Sequence, residues 1–490
     1  MKIAFRVDSS SEIGNGHFVR CLNLAQEFVK RNNEVVFVCS ELMISHAKLL
    51  KEMGCKLVTI PASKYEIEDA SNFLATLTSF QPQIVVVDSY ALRINWEFKV
   101  KAYAKTLVVI ADIPGEGHYC DFLIDQNLTE RTEDTWKVSA PNARLLIGPR
   151  YALLNSRIIG WRNLWNPKLP DKSRIVVYFG GTDAVNILTK TVNALESITS
   201  QSEPAVVVAP KEQWLRVLKR LNRQVDWCKH QEPNESFIEL LSEATLAIGA
   251  GGVTVWERMY LGINQVLISI AKNQEYSCSE LGKRNLATYV GSHDAVTKGA
   301  IERAVNQSIA DVSNLSKQAL EGQILIDGIG SARVVECILP SLREDLSVRE
   351  AKLNDVTTYF NWANDPSVRS VSLSKGIIEW SEHLAWFEQK IRSKDTLMYV
   401  FLAGYLPVGQ VRFDFVNDHV ELDYSLDIDF RGRGWSKVML DTAYNELRKV
   451  TKSAVIATVE SQNTKSMNAL MSAGYRRISN EESLIVFLRD

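Results

Sequence analysis

The sequence lacks the features that mark membrane proteins, secreted proteins and binders of polyanions. No apolar run reaches the roughly 18 residues that a membrane-spanning helix needs. Charged residues at Lys2, Arg6 and Asp8 come too early for the apolar segment of a signal peptide. Lysine and arginine total 56 against 58 aspartates and glutamates, so no excess positive charge is available for nucleic acid or an anionic membrane. We therefore expect a cytoplasmic protein that binds neither.

Cysteine is scarce and scattered. The chain has seven cysteines, an odd number, and no two form a C-x-x-C pair, which argues against a disulfide framework and a thiolate zinc site. Four histidines also lack the paired spacing of metal ligands; they are His46, His118, His230 and His293. We predict reduced, mostly structural cysteines and no metal. Of these four histidines, only His118 is expected to line a cleft.

Alternating strands and helices fill the first two thirds of the chain. The 490 residues are 46% apolar and 23% charged, a globular composition that predicts about three domains at roughly 100–200 residues each. Apolar β-branched runs separated by amphipathic stretches are typical of parallel sheets with helices on both faces. The predicted strands here are 2–7, 34–39, 83–87, 106–110, 174–179, 205–209, 246–249 and 265–270.

Two boundaries divide this pattern. The first lies in a connecting segment that holds Pro149, Trp161, Trp165, Pro167 and Pro170. The second follows the strand series, because after residue 340 the alternation becomes antiparallel in character, with strands predicted at 346–350, 398–402, 409–413, 420–426 and 455–459. We predict two doubly wound Rossmann-like α/β domains, 1–155 and 156–343, and a third domain at 344–490.

A glycine loop joins the first predicted strand to a helix. Gly14 and Gly16 permit close approach of the backbone, and the helix N-terminus offers free N–H groups to a phosphate. His17 ends the loop at the carboxyl edge of the sheet, where α/β proteins bind ligands. The helix dipole there favours a neutral imidazole, which acts as a general base. The spacing alone leaves a second interpretation equally open, in which His17 only caps the helix.

Several motifs together resemble one enzyme family. The first is Arg6-x-Asp8-x-Ser10-x-x-Ile13-Gly14-x-Gly16-His17-x-x-Arg20-Cys21-Leu22-x-Leu24-Ala25. The others are Val87-Asp88-Ser89-Tyr90, Cys120-Asp121-Phe122-Leu123-Ile124-Asp125-Gln126-Asn127 and Gly148-x-x-Tyr151-Ala152-Leu153-Leu154. Over about residues 1–340 they resemble the UDP-2,4-diacetamido-2,4,6-trideoxy-β-L-altropyranose hydrolases of pseudaminic acid biosynthesis.

The resemblance implies a GT-B-like arrangement of the two Rossmann-like domains, related to the glycosyltransferase that makes lipid II, with water in place of an acceptor sugar. It implies His17 as the catalytic base. It also implies a UDP-sugar site to which these residues contribute: Asp8, Gly14, Gly16, Arg20 and Tyr90. The sequence departs from the family pattern at Asp112-Ile113, where a second acidic residue is expected.

Two further strand-to-helix turns predict UDP binding. The amides of Gly180 and Gly181 either cradle a pyrophosphate or form a plain turn. The stronger segment, 249–257, holds Gly251, Gly252 and Thr254 after another strand.

Glu257 lies one turn into the helix that follows the second of these turns. In the GT-B family that this part resembles, such a carboxylate accepts both ribose hydroxyls, so Glu257 is the expected ribose ligand. The simpler interpretation is a glutamate that stabilises the helix dipole by ~0.3–1 kcal/mol. Asn273 and Gln274 follow the next strand and resemble the family position that contacts the sugar.

The last third contains a glycine loop with two arginines, whose residues are Arg431, Gly432, Arg433, Gly434, Trp435 and Ser436. Its backbone N–H groups predict a pyrophosphate site to which the arginines add charge. Arg431-x-x-Gly434-x-Ser436 resembles the acetyl-CoA motif of GNAT acetyltransferases, with serine where Gly or Ala is usual. Asn463-x-x-Ser466 and Gly474-Tyr475 resemble a second GNAT segment. The resemblance implies an α+β domain with a mixed sheet, and acetyl-CoA as cosubstrate bound by Leu426, this loop and Asn463.

The catalytic groups of this last site are less defined. Glu421 is the candidate acceptor of the amine proton, with an ordinary solvated strand residue as an equal alternative. Many GNAT enzymes carry an acidic tyrosine seven residues after the asparagine, but this position is Leu470. Trp362 and Trp386 resemble acceptor-side residues, although core packing explains them as well.

The two motif sets predict a bifunctional enzyme of pseudaminic acid biosynthesis. It acetylates the 4-amino group of a UDP-amino sugar with acetyl-CoA and then hydrolyses the product to UDP and free sugar. Two alternatives stay open at this point. The first two domains are a true glycosyltransferase, or the C-terminal domain binds acetyl-CoA or a partner without catalysis.

Overall fold

The computed structural model describes residues 1–10, 13–128, 132–162, 174–180, 185–199, 204–234, 236–372, 374–480 and 483–490. Contacts divide the chain into two compact units, Met1–Val335 and Glu336–Asp490. The division into three domains at 155 and 343 stays a prediction. Three residues of the predicted connecting segment, Trp165, Pro167 and Pro170, lie outside the described residues.

The N-terminal unit begins with a parallel sheet. In the described residues its strands are β1 (Lys2–Val7), β2 (Glu34–Cys39), β3 (Lys56–Thr59), β4 (Ile84–Asp88), β5 (Thr106–Ile110), β6 (Phe122–Asp125) and β7 (Arg144–Ile147). Their order is β3-β2-β1-β4-β5-β6-β7, and every pair is parallel. The order reverses between β1 and β4, where Val7 lies opposite Asp88. Ligands bind α/β sheets at such a reversal, outside the carboxyl ends of the strands.

A second parallel sheet follows in the same unit. Its described strands are β8 (Ile175–Tyr178), β9 (Ala205–Val208), β10 (Cys228–Gln231), β11 (Leu246–Gly249), β12 (Asn264–Ser269) and β13 (Thr288–Ser292). The order is β10-β9-β8-β11-β12-β13, so the reversal falls between β8 and β11. The glycine turns at 180 and 249–252 leave these two strands at their carboxyl ends, which places both at this reversal.

Helices connect the strands and cover the two sheets. They are α1 (Gly16–Lys30), α2 (Ile44–Glu52), α3 (Glu66–Thr76), α4 (Ile94–Lys101), α5 (Thr132–Ser139), α6 (Val185–Thr199), α7 (Lys211–Leu221), α8 (Phe237–Glu243), α9 (Thr254–Leu261), α10 (Lys272–Lys283), α11 (Lys298–Ala310), α12 (Val312–Leu325) and α13 (Gly330–Ile338). Packing of aromatic rings fixes α1 on the first sheet. Phe28 of α1 lies edge-on to Phe5 of β1, and Phe5 stacks on Phe37 of β2. All three rings are buried, which sets the helix start, and with it His17, at the end of β1.

The C-terminal unit contains a mixed sheet. Its strands are β14 (Leu346–Glu350), β15 (Thr396–Ala403), β16 (Leu406–Val416), β17 (His419–Leu426), β18 (Val455–Glu460), β19 (Arg476–Asn480) and β20 (Leu484–Arg489), in the order β14-β15-β16-β17-β18-β20-β19. Its helices are α14 (Val356–Ala363), α15 (Pro366–Arg369), α16 (Trp380–Arg392), α17 (Trp435–Leu447) and α18 (Thr464–Ser472).

A gap opens within this third sheet. β17 pairs with β16 along its whole length, from Val416↔His419 to Gly409↔Leu426. It pairs with the parallel strand β18 only at Val420↔Val455 and Glu421↔Ile456. The two strands therefore diverge from residue 422 onward, beside the loop that leads into α17.

Two expectations from composition can be compared with the structure directly. All seven cysteines, each within the described residues, are buried and free. Among the helices that the structure describes, none is long and apolar enough to cross a membrane.

Candidate functional site

His17 lies in the first turn of α1, at the end of β1, and is held by a carboxylate from β4. Its Nδ1 is 2.5 Å from Oδ1 of Asp88, the last residue of β4. Burial would raise the pKa of Asp88, but the charges of Arg20 and His17 lower it to about 2, so the carboxylate is ionised. An Nδ1–H that donates to Asp88 leaves Nε2 as the basic atom. Within the described part of the chain, Nε2 has no hydrogen-bond partner.

The side chain of His17 does not cap α1. The N-cap of α1 is Asn15, and no side chain caps the helix. The ring of His17 instead turns toward Asp88, with 11% of its side chain exposed. A histidine fixed by a carboxylate and open at Nε2 has the arrangement of a general base.

Arg20, one turn along α1, connects two carboxylates. Its Nε donates to Asp88 Oδ2 at 2.5 Å and its Nη2 to Asp88 Oδ1 at 2.7 Å. Its Nη1 donates to Asp112 Oδ2 at 3.2 Å, just beyond the end of β5. Burial alone would lower the pKa of Arg20, but Asp88 and Asp112 raise it well above the usual value. The sequence placed Arg20 in the substrate site, whereas its visible contacts hold the carboxylates that surround the histidine.

Tyr90 and Asn273 also lie beside His17 and Asp112. Tyr90 follows β4 of the first sheet, whereas Asn273 lies in α10, which follows β12 of the second sheet. The Tyr90 ring lies edge-on to His17 with 4.7 Å between ring centres, and its hydroxyl donates to Asp112 Oδ2 at 2.9 Å. Asn273 Nδ2 donates to Tyr90 Oη at 2.8 Å. Burial and the nearby Asp112 raise the pKa of Tyr90. The structure thus brings together four of the residues expected at the site: His17, Arg20, Tyr90 and Asn273.

Asp8 is placed differently from these four. Its Oδ1 accepts from Arg6 Nη1 at 2.7 Å and from the Ser40 amide at 2.6 Å, and its Oδ2 accepts from Ser40 Oγ at 3.0 Å. The carboxylate therefore fastens the loop after β2 to the end of β1. Its role in binding substrate stays a prediction.

The glycines of the first loop have distinct backbone geometries. Gly14 has φ +85°, a value that favours glycine, and its amide donates to the Ser10 carbonyl at 2.9 Å. Gly16 begins α1 and has open space where a Cβ would stand. The turn thus requires glycine at residue 14, while residue 16 leaves room at the helix N-terminus.

Two of the motifs that carry the family resemblance, 120–127 and 148–154, form hydrogen bonds with each other. Gln126 Oε1 accepts from the Leu153 amide at 3.0 Å, and the Gly148 amide donates to the Asp125 carbonyl at 2.7 Å. His118 also has a structural setting, because its Nδ1 lies 2.7 Å from Oε1 of the buried Glu97. The expectation that His118 lines a cleft is not supported by this buried pair.

The glycine turn after β11 is shaped by close packing. A Cβ at Gly251 would lie 2.1 Å from Cys278 Sγ on α10, whereas the nearest atom to one at Gly252 is Gln274 Nε2 at 3.9 Å. Gln274 Oε1 accepts from the Ile270 amide at 3.1 Å and so holds the loop before α10. The comparable turn after β8 contains Gly180 at φ +92°, and Gly181 lies outside the described residues.

Glu257 lies buried in α9, which Thr254 begins. Burial raises the pKa of its carboxyl to about 7, although the neighbouring Arg258 opposes that shift. Arg258 itself donates to the carbonyls of Ala250 and Thr254, at 2.7 and 3.1 Å. Neither Arg258 nor any other described residue forms a hydrogen bond with the Glu257 side chain. A buried carboxylate of this kind is suited to accept hydroxyl donors from a ligand.

In the C-terminal unit, the loop before α17 has two glycines in the left-handed region, Gly432 at φ +78° and Gly434 at φ +72°. Both arginine side chains are directed toward protein groups. Arg431 Nε donates to the Leu426 carbonyl at 2.9 Å, and Arg433 Nη1 donates to the Glu336 carbonyl at 3.1 Å. Arg433 also lies over the ring of the buried Trp435 at 5.0 Å. A phosphate here would therefore meet the backbone amides of residues 432–436, Ser436 included, rather than free guanidinium groups.

Hydroxyl groups lie beside the gap between β17 and β18. Tyr424 Oη is 2.6 Å from Ser466 Oγ in the first turn of α18, and Asn463 Oδ1 caps that helix by accepting from the Ser466 amide at 3.1 Å. Burial raises the pKa of Tyr424 to about 12. Leu470 is fully buried on the same helix and has no proton to give. Sequence reasoning passed over Tyr424 because its alternation within β17 marks it as a core residue.

The acceptor-side residues differ in exposure. Glu421 is 59% exposed, with His419 Nε2 at 3.7 Å from its carboxylate. Trp362 is buried and its Nε1 donates to Asp427 Oδ2 at 2.9 Å, so it serves the core. Trp386 packs under the Arg412 guanidinium at 5.1 Å.

Comparison with known proteins places these features in families. Residues 345–476 match the family model described as an acetyltransferase (GNAT) domain. The C-terminal unit contains a GNAT domain. The gap in its sheet and the loop 431–436 lie within the matched residues.

The N-terminal unit has relatives of its own. The chain is 24% identical over 286 residues to the UDP-2,4-diacetamido-2,4,6-trideoxy-beta-L-altropyranose hydrolase of Campylobacter jejuni, covering 58% of this chain and 97% of that protein. The structure of MurG from Acinetobacter baumannii superposes with a TM-score of 0.51 at 12% identity, over 69% of this chain and 98% of MurG. The chain is thus a fusion of a hydrolase-related region with a GT-B fold and a GNAT domain.

The fusion itself has a full-length relative. An uncharacterized protein of Methanocaldococcus jannaschii is 22% identical over 97% of each chain. The predicted fold class, two parallel sheets in a GT-B fold followed by a mixed GNAT sheet, is confirmed.

Proposed function

We propose that this chain performs two consecutive reactions on one UDP-sugar. The GNAT domain acetylates the 4-amino group of a UDP-4-amino-4,6-dideoxy-N-acetyl-altrosamine. The hydrolase-related region then hydrolyses the resulting UDP-2,4-diacetamido-2,4,6-trideoxy-β-L-altropyranose to UDP and free sugar. The activity named for the Campylobacter relative supports the second step. The observation that carries the proposal is the His17–Asp88 pair at the strand reversal.

In the hydrolysis, His17 removes a proton from water. The water oxygen forms a bond to the anomeric carbon of the sugar while the bond from that carbon to the UDP oxygen breaks, and its electron pair leaves with UDP. The water proton passes to Nε2 of His17. The ionised Asp88 stabilises the imidazolium that forms, since it accepts from Nδ1 at 2.5 Å. Positioned acid-base groups of this kind contribute about 10²–10⁴-fold to rate.

The nucleotide is held by the second sheet's loops. The amides around Gly180, Gly251 and Gly252 and the start of α9 at Thr254 face the diphosphate, and Glu257 accepts the ribose hydroxyls. Gly181 is retained as a binding residue from its motif alone. The buried, otherwise unpartnered carboxylate of Glu257 supports this assignment. Asn273 reaches the Tyr90 hydroxyl from α10, so the sugar lies near residues of both sheets.

The acetyl transfer uses the gap between β17 and β18. The loop amides of residues 432–436, together with Leu426 and Asn463, would hold acetyl-CoA, which supplies the acetyl group. Glu421 accepts the proton that the sugar amine loses as its nitrogen forms the new C–N bond. The C–S bond breaks, and its electron pair leaves with the sulfur of CoA. The divergence of the strands at residue 422, next to Glu421, supports this position.

Mass spectrometry of the purified chain tests both steps. The chain is incubated with the UDP-2-acetamido-4-amino-2,4,6-trideoxy sugar, with and without acetyl-CoA. We expect UDP and free diacetamido sugar only when acetyl-CoA is present. A supplied diacetamido UDP-sugar that is hydrolysed, with no acetyl transfer in any mixture, would leave the GNAT domain with another substrate or with a binding role. The buried Leu470 favours the binding role.

A further inference from the structure

Asp112 is the residue whose role the sequence left unassigned, and its two carboxylate oxygens have different surroundings. It follows β5 at the carboxyl edge of the first sheet, with 9% of its side chain exposed. Its Oδ2 accepts from three groups: Arg20 Nη1 at 3.2 Å, Tyr90 Oη at 2.9 Å and Asn273 Nδ2 at 3.4 Å. This oxygen is fully used by the protein.

The other oxygen has no such partner. Asp112 Oδ1 is buried, and across the described residues it accepts no hydrogen bond. A buried acceptor without a donor destabilises the protein, and more so when it is charged. Proteins pair nearly all such groups, so an unpaired one in a cleft is explained when a bound molecule supplies the donor.

The charge around Asp112 restricts what this donor is. Asp88 ends the neighbouring strand β4, and Asp88 and Asp112 share the guanidinium of Arg20. Asp125, at the end of β6, is a third carboxyl group near enough to interact with Asp112 and Arg20. The diphosphate of a nucleotide would be repelled here, since like charges at short distance oppose binding. A neutral N–H or O–H group is not repelled by these carboxylates. The part of a UDP-sugar that fits is therefore the sugar ring and its substituents.

Asp112 is also close to the catalytic histidine. Tyr90 donates to Asp112 and lies edge-on to His17, and Arg20 contacts both residues. A sugar that donates to Asp112 would thus lie close to His17, the base that activates water, because Tyr90 contacts both residues. The contact would help to fix the anomeric carbon relative to that base.

We propose that Asp112 Oδ1 accepts a hydrogen bond from an N–H or O–H group of the substrate's sugar and so determines specificity for sugars that carry this donor. This inference rests on the proposed hydrolysis and deepens it. It assigns Asp112 to the sugar and leaves the nucleotide to the loops of the second sheet.

Two substitutions separate this role from a structural one. Asp112→Asn keeps one oxygen for Arg20, Tyr90 and Asn273 but places an amide N–H₂ where Oδ1 stood, facing the sugar donor. Asp112→Ala removes both oxygens. We expect both variants to lose about 30–100-fold in kcat/KM for the diacetamido UDP-sugar, the usual result of leaving buried polar groups unpaired. Calorimetry should give UDP affinities within twofold of wild type, and thermal unfolding should show an intact fold.

Different outcomes would contradict the Asp112 proposal and the proposed function. If Asp112→Asn keeps at least half of the wild-type kcat/KM while Asp112→Ala is impaired, Asp112 only holds its three protein donors and the proposal is wrong. If the wild-type chain hydrolyses no UDP-sugar, the proposed function itself fails, so the two failures are distinct.

A substrate analogue distinguishes the two kinds of donor. With the 3-deoxy sugar, an Asp112 that binds the ring hydroxyl predicts that wild type falls to the level of Asp112→Asn. An Asp112 that binds an amide N–H predicts that the ratio of wild type to variant stays as large as with the full substrate. Equal activity of wild type and variant on both substrates would contradict the proposal.

Discussion

Nδ1 of His17 lies 2.5 Å from Asp88 Oδ1 and 3.1 Å from Arg20 Nη2, and an Nδ1–H that donates to Asp88 leaves Nε2 as the nitrogen that receives a proton. His17→Ala should therefore lower kcat for hydrolysis by about 10²–10⁴, the range for a positioned acid-base group, with UDP affinity little changed. Steady-state kinetics and calorimetry measure the two quantities. A variant with near-normal kcat would remove the histidine from the mechanism.

Glu257 predicts a pH dependence of nucleotide binding. Its carboxyl has a pKa of about 7, so its ionised fraction decreases as the pH falls below 7. Because the ionised form accepts the ribose hydroxyls, we expect the Kd for UDP to rise about tenfold from pH 8 to pH 6. Glu257→Ala should act mainly on KM.

Glu257→Gln provides the control for that measurement. Titration of the UDP phosphate affects wild type and variant alike, so the ratio of their Kd values isolates the carboxyl. The account predicts that this ratio changes with pH. A ratio that stays constant from pH 6 to pH 8 would show that Glu257 does not bind the ribose.

The sequence pointed to residues that follow strands, such as His17 at the start of α1 and Tyr90 after β4, because their place after a strand and the family resemblance both mark them. It could not show that Asp8 bonds to Arg6 and Ser40, or that Arg20 joins Asp88 to Asp112. Such contacts join residues distant in sequence. They depend on how neighbouring strands align.

At the scale of elements, strands with a clear apolar or alternating pattern were predictable, among them the edge strand β14, whereas short polar strands were not. β1, β2, β5 and β11 have the predicted bounds, because buried parallel strands are apolar on both faces. β3 and β10 went unpredicted. β3 is a four-residue edge strand with no buried residue, and β10 has the polar sequence CKHQ, so neither shows the apolar run on which the prediction depended.

The glycine turn after β11 offers an element-scale test. A Cβ at Gly251 would overlap Cys278 Sγ, whereas one at Gly252 has room. Gly251→Ala should destabilise the hydrolase-related region by about 1–3 kcal/mol, the usual cost of overpacking, while Gly252→Ala should change stability by less than about 0.5 kcal/mol. Urea unfolding compares the two. Equal stability of the variants would contradict the packing described for α10.

At the scale of the whole molecule, the two proposed catalytic sites predict two separable activities. Glu421→Gln should lower acetyl transfer by about 10²-fold and leave hydrolysis of supplied diacetamido UDP-sugar within twofold of wild type. His17→Ala should do the reverse. Each variant serves as the folding control for the other. Loss of both activities in either variant would show that the sites are not independent.

Joining consecutive enzymes in one chain raises the local concentration of the intermediate. The most direct test of this account is the mass spectrum of products formed from the UDP-4-amino sugar. The account predicts UDP and free diacetamido sugar when acetyl-CoA is added, and neither when it is omitted. Release of UDP from the unacetylated sugar, or no product in the presence of acetyl-CoA, would contradict it.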